Sequence, residues 1–222
     1  AFRLPLLDAA RTHAAQMDTE RAAGKVRGAL HGLPYVAKDL FDVAGHATSA
    51  GCPLLENSHA GRDSTVVHRL ADAGMVLLGK TNTVQFAYGG AGVNSQHGTP
   101  HNPWHSTHHL PGGSSSGSGV AVASGMTPMG LGTDTGGSVR IPASLCGVSG
   151  LKTTVGRISR AGVYPLSWSL DSVGPLCRDV VDTALMLDAL NGEDAHDYSA
   201  HGHVHEEFAD CPADLNGLRI AF

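Results

Sequence analysis

At 222 residues with 41% hydrophobic content, the chain suits one domain, or two at most, and is long enough to bury a real core. A formal charge of -5 without any Lys/Arg cluster removes the footprint of a nucleic-acid or anionic-membrane binder, and apolar runs such as Met75–Leu78 are too short to span a bilayer. The four cysteines (Cys52, Cys146, Cys177, Cys211) show neither C-x-x-C pairing nor zinc spacing, which points to a reducing, cytoplasmic setting.

The chain opens with apolar positions Leu7, Ala10, Ala14 and Met17 at helical spacing, predicting a helix from Leu6 to Ala23 with Gly24 as its stop. Next, Gly32-Leu-Pro-Tyr-Val-Ala-Lys38 reads as a turn and a short apolar strand ending at Lys38. Asp63 or Ser64 caps a second helix through Val66, Val67, Leu70 and Ala73, closed by Gly74 and followed by a buried strand from Met75 to Leu78. Thr83 to Tyr88 reads as a brief helix, and Gly89 to Pro111 as a loop rich in Gly, Pro, Asn and His. Ser116 to Ser124 is a small-residue helix, Met129 to Thr133 a strand. Asp179 caps a last helix whose buried side is expected to hold Val180, Val181, Ala184, Leu185, Leu187 and Leu190. Strands alternating with helices predict a layered α/β fold with a largely parallel sheet. Leu218-Arg-Ile-Ala-Phe222 reads as a further strand, and the start without methionine leads us to expect a piece of a longer protein.

Several short motifs are weaker than they look. Gly74-Met-Val-Leu-Leu-Gly-Lys-Thr81 matches the phosphate-loop pattern letter for letter, but its variable positions are strand residues rather than loop residues. A nucleotide site there is an alternative, as is an α/β-hydrolase with Ser115 as nucleophile in Gly113-Ser-Ser-Ser-Gly117, although no apolar strand precedes that elbow. Ser149-Gly-Leu-Lys152 fits S-x-x-K without an S-D-N partner. His97, His101 and His105 would share one face of a helix, which Gly98, Pro100 and Pro103 forbid, so they read as loop residues rather than metal ligands.

The chemistry concentrates in two glycine-serine stretches, Pro111 to Gly119 and Gly132 to Pro142, and in Lys38. A serine needs a neighbouring base to become a nucleophile, and a neutral lysine can serve. A free lysine titrates near about 10.4, so service at neutral pH requires lowering its pKa by roughly 3, which burial can do. The apolar approach Tyr35-Val-Ala37 offers that burial; a solvated lysine at a strand end is the plain alternative. Thr135-Gly136-Gly137-Ser138 supplies consecutive backbone N–H groups that suit a tetrahedral oxyanion, and equally an anion nest or a tight turn.

Together these residues resemble the amidase signature family, over about Lys25 to Leu190 and most specifically over Pro111 to Gly156. Pro-Gly-Gly-Ser-Ser-Ser-Gly-Ser, Leu-Gly-Thr-Asp-Thr-Gly-Gly-Ser-Val-Arg-Ile-Pro-Ala and Cys-Gly-Val-Ser-Gly-Leu-Lys occur in the family's order, supported by Gly79-Lys-Thr-Asn82 and Leu170-Asp-Ser-Val-Gly-Pro175. The resemblance implies a layered α/β/α fold with a central mixed, largely parallel sheet, and residues 1–222 forming one incomplete domain. It also implies a triad in which Lys38 is the base, Ser114, preceded by a cis peptide, relays the proton, and Ser138 is the nucleophile. Thr135, Gly136, Gly137 and Ser138 match the family's oxyanion hole. The implied activity is amide hydrolysis on a small-molecule amide, with no cofactor and no metal. A homodimer is the candidate assembly, and neither nucleic acid nor membrane is a partner. The glutaminase subunit of a tRNA-dependent amidotransferase is the alternative; Phe86-Ala-Tyr-Gly-Gly-Ala-Gly-Val-Asn94 looks more like the free-standing amidases. Gln85, Thr153 and the histidines after Trp104 depart from the family's usual residues, and family members run much longer.

Overall fold

The computed structural model describes residues 1–210 together with Gly217 and Arg219. Its main elements are β1 (Phe2–Pro5), α1 (Leu7–Ala22), β2 (Pro34–Lys38), α2 (Thr65–Asp72), β3 (Val76–Thr81), α3 (Ser116–Ala123), β4 (Met129–Asp134), α4 (Arg140–Cys146), β5 (Ser149–Gly150), β6 (Ser172–Cys177) and α5 (Val180–Leu190). Cys211 and, apart from Arg219, the strand expected at Leu218–Phe222 lie outside the described residues.

One mixed sheet runs in the order β1-β3-β2-β4-β6-β5. Its parallel pairs are β2 with β3 and β2 with β4, at the centre; β1 on one side and β6 and β5 on the other are antiparallel. The parallel centre carries Lys38 and the entrance to the second glycine-serine stretch at the same strand ends, where open α/β sheets place their ligands.

The alternation along β2 separates two layers. Tyr35 and Ala37 join Met129, Leu131, Val173 and Cys177 in the main core, covered by Val66, Val67 and Leu70 of α2 and by Met186, Leu187 and Leu190 of α5. Val36 faces the opposite layer, where α3 lies directly on the sheet. That close approach is a consequence of composition. A Cβ on Gly132 would stand 2.7 Å from Ser115 Oγ, and one on Gly117 would run into the backbone of Ala1 and of Asn82. The serines of α3 then reach across: Ser118 Oγ donates to the Leu131 carbonyl at 2.8 Å and shares a hydrogen bond with Thr81 at 2.7 Å.

Most expected elements are present; α4 and β5 are additions that the sequence reading did not include, and further differences concern β1, β6, α5 and β3. β1 and β6 carry no clear strand signal in the sequence; β1 pairs with a strand far along the chain, and β6 holds Gly174 and Pro175, which weaken any such signal. The buried side of α5 is Thr183, Met186, Leu187 and Leu190, whereas Val180 and Val181 are 74% and 66% exposed. Those two valines occupy the first helical turn, where Val180 borders a shallow pocket beside Ser149 and Gly150 of β5 instead of entering the core. Finally, the phosphate-loop match is overturned, because Val76–Thr81 is a strand paired on both sides. Its lysine, Lys80, is fully buried, donates to the Ala47 carbonyl at 2.6 Å and to Thr48 Oγ1 at 3.0 Å, and pairs with Asp39 at 2.7 Å. Burial pushes the Lys80 pKa down, against the pull of Asp39.

Candidate active site

β2 delivers Lys38 into the protein with no surface exposed. Its Nζ donates to Ser114 Oγ at 2.7 Å and to Thr133 Oγ1 at 2.8 Å. Burial pushes the Lys38 pKa from 10.5 down to about 7, while the negative charges of Asp134 and Asp171 oppose that fall. An amine so held is neutral in a large fraction of molecules at neutral pH and has two hydroxyls within reach.

Ser114 sits at the foot of α3 and follows a cis Gly113–Ser114 peptide bond. Its carbonyl accepts from Thr83 Oγ1 at 3.0 Å and from the Val84 N–H at 3.3 Å, so the residue is pinned from behind while its hydroxyl faces Lys38. Ser115 is wholly buried; its Oγ bonds with the backbone of Thr133 at 3.3 Å and has no base beside it among the described residues, which argues against it as an elbow nucleophile.

The turn between β4 and α4 is built on Asp134, which sequence reasoning did not single out, although an aspartate in Gly-Thr-Asp-Thr-Gly-Gly is a recognised turn signal. Its carboxylate accepts from the N–H groups of Gly137 (2.8 Å), Val139 (3.0 Å) and Arg140 (3.2 Å) and from the Arg140 guanidinium at 3.0 and 3.1 Å. Burial works to raise the Asp134 pKa, and the guanidinium and three amides together outweigh it and hold it below the usual range. The N–H groups of the expected four-amide cluster are not engaged alike. Gly137 gives its N–H to Asp134, whereas the N–H groups of Thr135, Gly136 and Ser138 meet no acceptor among the described residues. Ser138 lies beside the first stretch: its carbonyl accepts from the Ser115 N–H at 3.2 Å. Its side chain is nearly buried, and its hydroxyl makes no hydrogen bond among the described residues.

Thr133, the second acceptor for Lys38, also lines a cleft of about 690 Å³, whose walls include Val163, Trp168, Asp171 and Tyr198. Thr133 and Asp171 lie within the family runs Leu131-Gly-Thr-Asp and Leu170-Asp-Ser, but the sequence reading gave neither a place in the site. The loop histidines do not line this cleft, and among the described residues no three His, Cys, Asp or Glu side chains stand together as a metal site would require. Of the departing residues, Gln85 donates to Cys52 Sγ at 3.2 Å and Thr153 to the Val173 carbonyl at 3.1 Å, both away from Lys38.

The whole chain, residues 1–222, matches the family model described as Amidase. The chain belongs to the amidase family. A glutamyl-tRNA(Gln) amidotransferase subunit from Pseudomonas putida (strain GB-1) is 49% identical over 214 residues, taking in 96% of this chain and 44% of that protein. The AtzE subunit of 1-carboxybiuret hydrolase from Pseudomonas sp. (strain ADP) is 48% identical over 198 residues, 89% of this chain and 43% of that one. Among solved structures, the native peptide amidase from Stenotrophomonas maltophilia superposes with a TM-score of 0.85 at 39% identity, over 92% of this chain and 43% of its own. A chain from a vestigial protein complex tied to the evolutionary origins of an s-triazine catabolic enzyme gives a TM-score of 0.91 at 44% identity, over 94% and 46%. This chain therefore spans less than half the length of the curated relatives it matches.

Proposed function

We propose that this chain carries the catalytic part of a cytoplasmic amide hydrolase acting through an acyl-Ser138 intermediate. The observation that carries this reading is the buried Lys38–Ser114 hydrogen bond of 2.7 Å, with a lysine brought down to about pKa 7, beside a turn that offers Ser138 and free N–H groups. In the first half-reaction Ser138 Oγ attacks the amide carbonyl while Ser114 takes its proton and passes its own to neutral Lys38. The carbonyl oxygen becomes an oxyanion held by the N–H groups of Thr135, Gly136 and Ser138. Collapse breaks the C–N bond, the proton returns through Ser114 to the departing amine, and water then releases the acyl group by the same route. The substrate proposed is a small-molecule amide lying in the cleft beside Thr133.

A fluorophosphonate probe tests this. We expect wild type and Ser115→Ala to be labelled, and Ser138→Ala to lose labelling and at least about a thousandfold in amide turnover. Labelling that persists in Ser138→Ala counts against the assignment. A second reading, the glutaminase subunit of a tRNA-dependent amidotransferase, draws support from the amidotransferase relative at 49% identity. It predicts release of ammonia from glutamine together with co-purifying partner subunits; hydrolysis of simple amides by the isolated protein favours the first reading.

A further inference from the structure

Asp171 stands immediately before β6 and is nearly buried, and its two carboxylate oxygens serve two different parts of the molecule. Oδ1 accepts from Thr135 Oγ1 at 2.5 Å, at the start of the glycine-rich turn. Oδ2 accepts from the N–H groups of Leu166 (2.8 Å) and Ser167 (2.9 Å), which precede Trp168 on the cleft wall. The backbone around it is also held: the Asp171 N–H donates to the Ser167 carbonyl at 3.0 Å, and Arg160 Nη1 donates to the carbonyls of Trp168 (2.7 Å) and Asp171 (3.3 Å).

We propose that Asp171 is a positioning residue: one carboxylate that locks the Thr135 end of the oxyanion turn to the cleft wall and so sets where the Thr135 N–H points. The proposal rests on the amide-hydrolase reading above. Asp134 grips the other end of the same turn through Gly137, Val139 and Arg140, so the stretch with the free N–H groups is fastened at both ends by carboxylates that those groups do not need as acceptors. An N–H donor displaced by even about 1 Å loses much of its worth to a developing oxyanion. The position of Asp171 also gives it a second effect. Lys38 feels two negative charges, Asp134, which is paired with Arg140, and Asp171; Arg160, on the far side of Asp171, is engaged with Asp197 at 3.5 Å. Removing the Asp171 charge therefore favours the neutral form of Lys38.

The deciding experiment follows fluorophosphonate labelling rate against pH for wild type, Asp171→Asn and Thr135→Val. Asp171→Asn is expected to lower the plateau rate by about ten- to a hundredfold and to move the acid limb to lower pH. Thr135→Val keeps the charge and cuts only the tie, so its plateau falls while its acid limb stays with wild type. A side chain that merely supports the fold would lower the thermal midpoint without moving the limb. The proposal is overturned by an Asp171→Asn limb that coincides with wild type, or by a Thr135→Val plateau equal to wild type; the latter variant decides alone should Asp171→Asn not fold. A wild type that is never labelled overturns the amide-hydrolase reading and the proposal together, so the two failures are distinct.

Discussion

Lys38 is the residue on which the candidate site turns, and its burial has consequences in two measurements. With a folded pKa of about 7, activity that needs the neutral amine rises with pH through that value, so the acid limb of kcat/KM is expected near it. The same shift affects stability. The folded pKa lies below the ordinary value of 10.5, so the unfolded chain holds more protons between about 7 and 10.5 and stability rises with pH across that window. Replacing Lys38 by Met removes the buried amine. The variant's unfolding midpoint relative to wild type should be most favourable below about pH 7 and should decline toward pH 10.5, while the proposed amidase activity is lost. A midpoint difference independent of pH would contradict this. Lys38 itself was legible as a candidate because an apolar run leads into it, but its two hydroxyl partners come from 76 and 95 positions away and no spacing along the chain announces them.

At the scale of elements, α3 and β4 illustrate how a glycine-serine composition becomes geometry. The small-residue helix expected from Ser116 is present as α3, and packed on the sheet its lack of bulk lets the residues at its N-terminal end stand beside Lys38. Gly132→Ala would force a methyl group to 2.7 Å from Ser115 Oγ and 2.8 Å from Leu176 Cδ1, and is expected to cost about 1–3 kcal/mol in a urea melt. Gly117→Ala meets unyielding backbone at still closer range rather than a side chain, so its loss should be the larger of the two. Equal midpoints for wild type and both variants would show that α3 does not seat as closely as this packing requires. The helix propensities of α1, α2 and α5 were readable from periodicity, whereas β6 was hidden by its Gly and Pro and is held by pairing with β4 along its full length.

Across the whole molecule, the layer that covers the sheet opposite α3 is fastened by Arg69. From α2 its guanidinium donates to the carbonyls of Leu190 at 2.6 Å and Glu193 at 2.7 Å, and to Gly192 at 3.3 Å, closing the C-terminal end of α5. Arg69→Ala leaves those carbonyls without their donor and is expected to cost about 2–3 kcal/mol, read as a fall in denaturation midpoint with the proposed Ser138 labelling retained below the transition. A midpoint unchanged by the substitution would mean that solvent replaces the guanidinium fully. Two large aromatic side chains on the cleft, Trp168 and Tyr198, remain 80% and 96% exposed, and in the relatives this chain accounts for less than half of the length.

The amino-acid sequence alone determined the α/β class and most helices, which depend on local periodicity, and its resemblance to the amidase family, carried by motifs each readable in one stretch, named Lys38, Ser114 and Ser138 as a candidate set. The folded structure decided that Lys38 is buried against Ser114 and Thr133, that Gly137 gives its N–H to Asp134, that Val76–Thr81 is strand rather than phosphate loop, and that Asp171 joins the turn at Thr135 to the cleft. Apart from the local turn bond between Gly137 and Asp134, each of those facts is a contact between segments distant in the chain. Burial, hydrogen-bond partnership and pKa are properties of such contacts, and they come into being only when the sheet closes.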